Sequence, residues 1–258
     1  MVMRFYLDDS ERDGVVAVGG YLATGEQWER FEEEWGFRLR QAQVPAFHAT
    51  DFNNRQKAFK GWDDAKQIQY SKYFTAIAEK QTELAIGRAV ETAAYDELVA
   101  PLLTEMCWTP NGRFPAVMWC ARTCIESLVA KHDRFLRPGD SLEVVFERGG
   151  RSGEVVSYLR GLKRRCSDPR GWTQRVTLFD VAPKSVMPLQ AADLIVHEGM
   201  RSVHEKLEPS GRLIRKSMLR LTHSQRVEVN VFTRQDLIRA IPDITTRIGE
   251  CEKQSRKN

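Results

Sequence analysis

Residues 2–8 open the chain with an apolar run, Met3 to Leu7, that stops on two carboxylates, Asp8 and Asp9. A strand apolar on both sides is expected at the centre of a sheet. "VVAVGGYLAT" (Val15 to Thr24) reads as a second strand, and the Asp13-Gly14 pair between the two predicts an antiparallel hairpin. The period then changes. Trp28, Phe31, Trp35 and Leu39 recur at helical spacing over residues 26–41, and Pro45 ends that helix. "FHATDF" reads as an extended piece and residues 63–80 as another helix. "TELAIGRAVE" reads as strand three, residues 94–106 as two short helices and residues 116–132 as a long helix. "SLEVVFE" (Ser141 to Glu147) is a fourth strand that again ends in an acid. A helix follows over 154–166, then a fifth strand over 174–181, then a helix opened by Pro188 and running to about Leu207. The remainder is basic and is expected to be helical.

This order, two strands, a helical insertion at about 25–80, a strand, then alternating helices and strands, predicts an α/β fold with a mixed sheet and helices on its faces. The expected organisation is a domain over 1–207 and a C-terminal helical appendage over 208–258. The inserted helices and the C-terminal helices offer either a homodimer contact or a substrate lid.

Length and charge narrow the classes. The chain has 258 residues, enough to bury a substantial core, with a net charge of +4. The charge is uneven: "ERFEEEW" is acidic, and basic residues gather in "LRGLKRRCSDPRGWTQR" and "GRLIRKSMLR". Lys163, Arg164, Arg165, Arg212, Arg215 and Lys216 are candidates for a phosphate-facing surface, against the plainer reading of solvated helix faces. Five cysteines, none in C-x-x-C spacing, and no secretory leader predict a reducing, cytoplasmic setting. No apolar run approaches the roughly 18 residues of a membrane span, so no membrane partner is expected.

The acids carry the chemistry. Asp8 and Asp9 are neighbours on a strand and face opposite ways. One of them lies half-buried at the strand end, where an unpaired charge costs several kcal/mol unless a cation or hydrogen bonds meet it. Each acid also has a plain reading: Asp8 or Asp9 as a turn cap, Glu147 as a surface acid before Gly149 and Gly150, Asp193 as a favourable charge in the first turns of a helix. Together, acids at two strand ends and on an Ala-lined helix face are what a hard divalent cation such as Mg²⁺ or Mn²⁺ needs, because such ions bind through carboxylate oxygens from several elements. Two such ions activate a water and stabilise a leaving oxygen in phosphoryl transfer.

"YLDDS", "FHATDF", "VVFERG" and "MPLQAADLIVH" resemble, in type and order, the motifs of the domain-of-unknown-function 3800 family over residues 3–205. That family resembles the ribonuclease-H-like superfamily. The resemblance implies a ribonuclease-H-like mixed five-stranded sheet, three antiparallel strands followed by two parallel ones. It also implies acids on strand one, strand four and the last helix. Asp8, Glu147 and Asp193 take those places by motif position, as catalytic metal ligands with Asp9 as a further ligand. The chain departs from the pattern at Asp9, where the family more often has Glu, and at Glu11, where it more often has Gly. His48, Asp51, Gln190 and His197 are candidate accessory residues. Gln190, Asp193 and His197 share a helix face. "HEGMRSVH" lacks the spacing of a zinc H-E-x-x-H motif. Trp108 and Trp119 suit either base stacking or a core.

The expected activity is therefore metal-dependent phosphodiester hydrolysis in nucleic acid, DNA or RNA. Two alternatives stay open: a binding module on the same fold without catalysis, and a hydrolase of a small phosphoester.

Overall fold

In the computed structural model, residues 1–104, 115–131, 135–165, 172–207 and 227–255 are described. The elements are β1 (Val2–Arg12), β2 (Val15–Thr24), α1 (Gly25–Ala42), α2 (Ala49–Asn54), α3 (Asp64–Gln81) and β3 (Leu84–Glu91). They continue with α4 (Thr92–Leu98), α5 (Ala100–Thr104), α6 (Ala116–Lys131), β4 (Ser141–Glu147), α7 (Ser152–Arg165), α8 (Trp172–Arg175), β5 (Val176–Ala182) and α9 (Met187–Leu207). Last come β6 (Val227–Phe232) and α10 (Arg234–Ser255). Among the described residues, no helix is long and apolar enough to cross a membrane.

The sheet is mixed, in the order β5-β4-β1-β2-β3-β6. β2 runs antiparallel to β1 and β3, while β4 is parallel to β1, β5 to β4 and β6 to β3. The β1–β2 turn forms because Asp13 and Gly14 both take positive φ, 50° and 74°, the backbone a two-residue hairpin requires. α1 starts where Thr24 and Gln27 cap each other reciprocally: the Thr24 hydroxyl accepts from the Gln27 amide and the Gln27 side chain accepts from the Thr24 amide.

Two helical layers cover the sheet. α1, α3 and α9 share one face, where Trp28, Phe31, Trp35 and Phe74 pack toward Leu194 and Ile195. α6 and α7 cover the other, against Met3, Phe5, Leu7 and Val18. α9 lies close to the sheet because its floor is glycine. Gly19 and Gly87 are paired across β2 and β3, and a Cβ on Gly19 would come within 2.8 Å of the Ile195 Cγ2.

The structure departs from the sequence expectation at the C-terminus. Residues 227–232 are not part of a helical appendage but a sixth strand, so the sheet has six strands among the described residues rather than five. Val227, Val229 and Val231 alternate with polar Glu228 and Asn230, a period of two that the surrounding basic composition obscures. β6 also explains a charge in the middle of β3. Arg88 is 3% exposed and pairs with Glu228, whose carboxylate also accepts from Ser127 of α6 at 2.8 Å. A second departure is smaller: "FHATDF" is extended only to His48, after which Ala49 to Asn54 turn into α2.

β1 is longer than its apolar run predicts. It continues past Asp8 because Ser10, Glu11 and Arg12 still pair with β2. Its pairing with β4, however, ends at Leu7 and Phe146. Asp8, Asp9 and Glu147 therefore stand where two parallel strands part, a place where open α/β sheets form a crevice at the carboxyl ends of their strands.

Candidate active site

Asp8 points to the α9 side of the sheet, since it pairs with Gly19 beneath Ile195. It is 5% exposed, and Asp193 on α9 is 6% exposed. Asp9 turns the other way, toward Gly150 in the loop after β4: a Cβ on Gly150 would lie 3.6 Å from the Asp9 Oδ2. The opposite orientations follow from strand alternation, as the sequence predicts.

A residue that the sequence did not single out links the acids. The Lys184 ammonium lies 3.2 Å from Glu147 Oε1 and 3.8 Å from Asp193 Oδ2. Lys184 sits in the short loop between β5 and α9, and its backbone carbonyl accepts from the Gln190 side chain at 3.4 Å. Burial alone would lower the Lys184 pKa, but Asp193, Asp8 and Glu147 outweigh it and the ammonium form is favoured. The acids respond in the opposite sense to burial and to one another. The Asp8 carboxyl is pushed well up by burial, then by the charges of Asp193 and Glu147. Asp9 is raised to about 6 by burial, then by Glu147 and Glu11, with Arg151 and Lys184 opposing. Asp8, Glu147 and Asp193 thus share one electrostatic site, with Asp9 at its margin.

The "FHATDF" segment closes the site from the side. The Ala49 amide donates to Asp193 Oδ2 at 2.8 Å, at the first residue of α2. His48 Nε2 lies 3.8 Å from the same oxygen, and His48 Nδ1 lies 3.2 Å from Asp51 Oδ2. Asp51 is also 3.0 Å from the Lys57 ammonium. Gln190 holds this segment in place: its carbonyl oxygen accepts from the Trp35 indole at 3.1 Å and from the Phe47 amide at 2.9 Å. That oxygen joins α9, α1 and the start of "FHATDF" and is directed away from metal chemistry. His197, one turn after Asp193, is half-buried and lines a cleft beside the acids.

The basic candidates are dispersed. Lys163 donates to the Val176 carbonyl, so its ammonium is engaged on β5. Arg164 is exposed at the far end of α7, and the Arg165 side chain lies outside the described residues, as do Arg212, Arg215 and Lys216. Trp119 is buried against Tyr95 and Phe232, which makes it core; Trp108 lies outside the described residues. Cys120 and Cys124 are buried thiols on α6, as their spacing of four suggests.

Among the described residues, no three His, Cys, Asp or Glu side chains are gathered closely enough to form a ready-made metal group. The donors nevertheless suit a hard cation. All are carboxylates, one positive charge already stands among them in Lys184, and Glu147 Oε2 is buried with no hydrogen-bond partner. A larger cavity of about 750 Å³ lies elsewhere, between α9, β6 and α10, and holds no comparable group of acids.

Comparison with family models, with curated proteins and with solved structures found no match for this chain. The family resemblance therefore rests on the four motifs quoted above.

Proposed function

We propose that this chain is a ribonuclease-H-like, metal-dependent nuclease that hydrolyses phosphodiester bonds in nucleic acid. The observation that carries the reading is the convergence of Asp8, Glu147 and Asp193, from two neighbouring strands and a helix, around one cationic group where β1 and β4 separate. The strand order supports it: three antiparallel strands with two further parallel strands on the β1 side.

In this reading Asp8, Glu147 and Asp193 hold Mg²⁺ or Mn²⁺, with Asp9 at the edge. When bound, the metal lowers the pKa of a water and neutralises charge on the phosphoryl oxygens. The protein's own groups set the geometry. The Ala49 amide fixes the rotamer of Asp193. Gln190 fixes α9 against α1 and the His48 segment. His48 stands between two of the acids, with Nδ1 3.2 Å from Asp51 Oδ2 and Nε2 3.8 Å from Asp193 Oδ2. Lys184 is the resident counter-charge that keeps the carboxylates together, in the place where a divalent ion would supply the same compensation.

The test is incubation of the protein with end-labelled single- and double-stranded DNA and RNA in Mn²⁺. Cleavage of at least one substrate, stopped by a chelator, is expected. No cleavage with either Mn²⁺ or Mg²⁺, or cleavage indifferent to chelation, overturns the reading.

Replacing Lys184 separates its structural role from metal binding. Lys184→Met removes the positive charge between Glu147 and Asp193, so the metal-free protein should lose about 1–2 kcal/mol; partial exposure of the lysine keeps the cost below that of breaking a fully buried pair. Because a competing cation is gone, Mn²⁺ should bind the variant at least as tightly as wild type. Thermal melting in chelator and calorimetric titration with Mn²⁺ measure the two effects. A variant that melts like wild type and binds Mn²⁺ more weakly contradicts the counter-charge role.

A further inference from the structure

Two clefts of about 400 Å³ each flank the acids, and they differ in charge. One is acidic, lined by Asp8, Asp9, Glu11 and Glu147 with Arg151 as its cation. The other lies between the end of β1, α2 and α9, and its lining includes Arg12, Asp13, Asn53, His197, Arg201 and His204. Asp193 also lines this second cleft, so it opens directly beside the proposed metal site.

Its donors are ordered along α9: His197, Arg201 and His204 follow Asp193 at intervals of four, four and three residues, which places them on the helix face of that acid. At 1.5 Å per residue the stripe from Asp193 to His204 is about 16 Å long. A stripe of that length spans a few consecutive phosphates of one strand. Arg12 faces the stripe from β1. It pairs with Asp13 at 3.0 Å, both side chains exposed, an ion pair of a kind that costs little to exchange. The basic group at the end of α7 has no such relation to the acids. Arg164 lies about 18 Å along the helix from Ser152, which starts α7 beside the site, and Lys163 is engaged on Val176.

We infer that this second cleft is the track for the nucleic-acid backbone on one side of the scissile phosphate, with Arg12 and Arg201 as its main phosphate-binding residues. The inference rests on the nuclease reading and adds the path of the substrate. The metal site handles the phosphate that reacts. The neighbouring phosphates still carry charge, and of the two clefts only this one presents mainly donors to them.

The experiment is fluorescence anisotropy with a fluorescein-labelled 15-nucleotide single strand, DNA and RNA in turn, in Ca²⁺ and over a series of salt concentrations. The Arg12→Gln/Arg201→Gln variant is compared with wild type and with Lys163→Gln/Arg164→Gln. Removing two phosphate contacts should weaken binding at least tenfold and reduce the salt slope by about 1.4, at about 0.7 per contact on a single strand. The Lys163/Arg164 variant should stay within about twofold of wild type by the same contact logic. Arg12→Gln alone, at an exposed position, keeps the test intact if the double variant folds poorly, and should lose several-fold. If the Arg12/Arg201 variant binds like wild type while wild type binds the strand, the track is elsewhere and the nuclease reading stands. If wild type binds neither the single strands nor the same strands annealed to their complements, both the track and the nucleic-acid substrate are overturned.

Discussion

Replacing Asp8 with Asn should stabilise the metal-free protein and remove its metal-dependent cleavage. Asp8 is buried, and burial, Asp193 and Glu147 all oppose its charge. An amide of the same shape carries no charge to desolvate, so a gain of about 1–3 kcal/mol near neutral pH is expected. That corresponds to a rise of about 2–4 °C in Tm for each kcal/mol in a chain of this size. The same change deletes an anionic oxygen from the proposed metal site, and cleavage should fall at least 100-fold, the order found when one electrostatic group is removed from an active site. The pH dependence has a definite sign. Asp8 and Asp9 both have folded-state pKa values above the usual aspartate value, so their contribution to stability is fully present below about pH 4 and is lost as pH rises through the folded values. For Asp9 the loss runs from about pH 4 up to its value of about 6. Metal-free wild type should therefore lose stability from these two groups between about pH 4 and pH 6 and beyond, and Asp8→Asn should flatten that decline. Melting curves in chelator across pH, with Mn²⁺ calorimetry and cleavage at one pH, measure all of this. A variant that is less stable at neutral pH and still cleaves would show that Asp8 is a structural turn acid.

The glycine floor under α9 should be nearly as sensitive, by another route. A Cβ at position 19 would meet Ile195 Cγ2 at 2.8 Å, the Ile86 carbonyl at 3.0 Å and the Gly87 Cα at 3.1 Å. Two of these three contacts are backbone, so they cannot be relieved by a side-chain rotation. Gly19→Val should lift α9 from the sheet, cost about 3 kcal/mol or more by overpacking, and weaken Mn²⁺ binding because Asp193 lies two residues before Ile195 on the displaced helix. Gly25→Ala is the matched control: a Cβ there meets nothing within 4 Å, and its melting temperature should not fall. Differential scanning calorimetry with and without Mn²⁺ measures both variants. A Gly19→Val protein that melts and binds Mn²⁺ as wild type does would mean that the helix–sheet spacing does not set the site.

Most of the sheet could be read from local chemistry. Asp13-Gly14 marks the hairpin because few residues take positive φ cheaply, and "SLEVVFE" and "QRVTLFDV" have β-branched and aromatic residues between turn signals. The late helix could be read because Pro188 starts it and small and apolar residues continue it. β6 could not be read with the same ease: its three valines stand in a basic stretch, and what holds it is Arg88, far away in sequence. Arg88 was itself the signal, an arginine in the middle of an apolar strand, which implies an acid brought from elsewhere. The three acids were legible from the end of the first apolar run, the end of strand four and an Ala-lined helix face, together with the motifs in which they stand. Lys184 was not, because its role depends on where the β5–α9 loop passes over Glu147, a matter of tertiary path and not of spacing. Gln190 shows the converse: its place one turn before Asp193 suggested the site, but Trp35 and Phe47 occupy its oxygen.

The pairing of Arg88 with Glu228 matters most while the chain is being made. All three acids have left the ribosome once residue 193 is out, and at that stage β3 still lacks β6 along its edge and the buried Arg88 guanidinium lacks Glu228. An unpaired strand edge invites pairing with another chain. A polypeptide ending after Leu207 therefore carries every acid of the site and is an aggregation hazard rather than a smaller version of the protein.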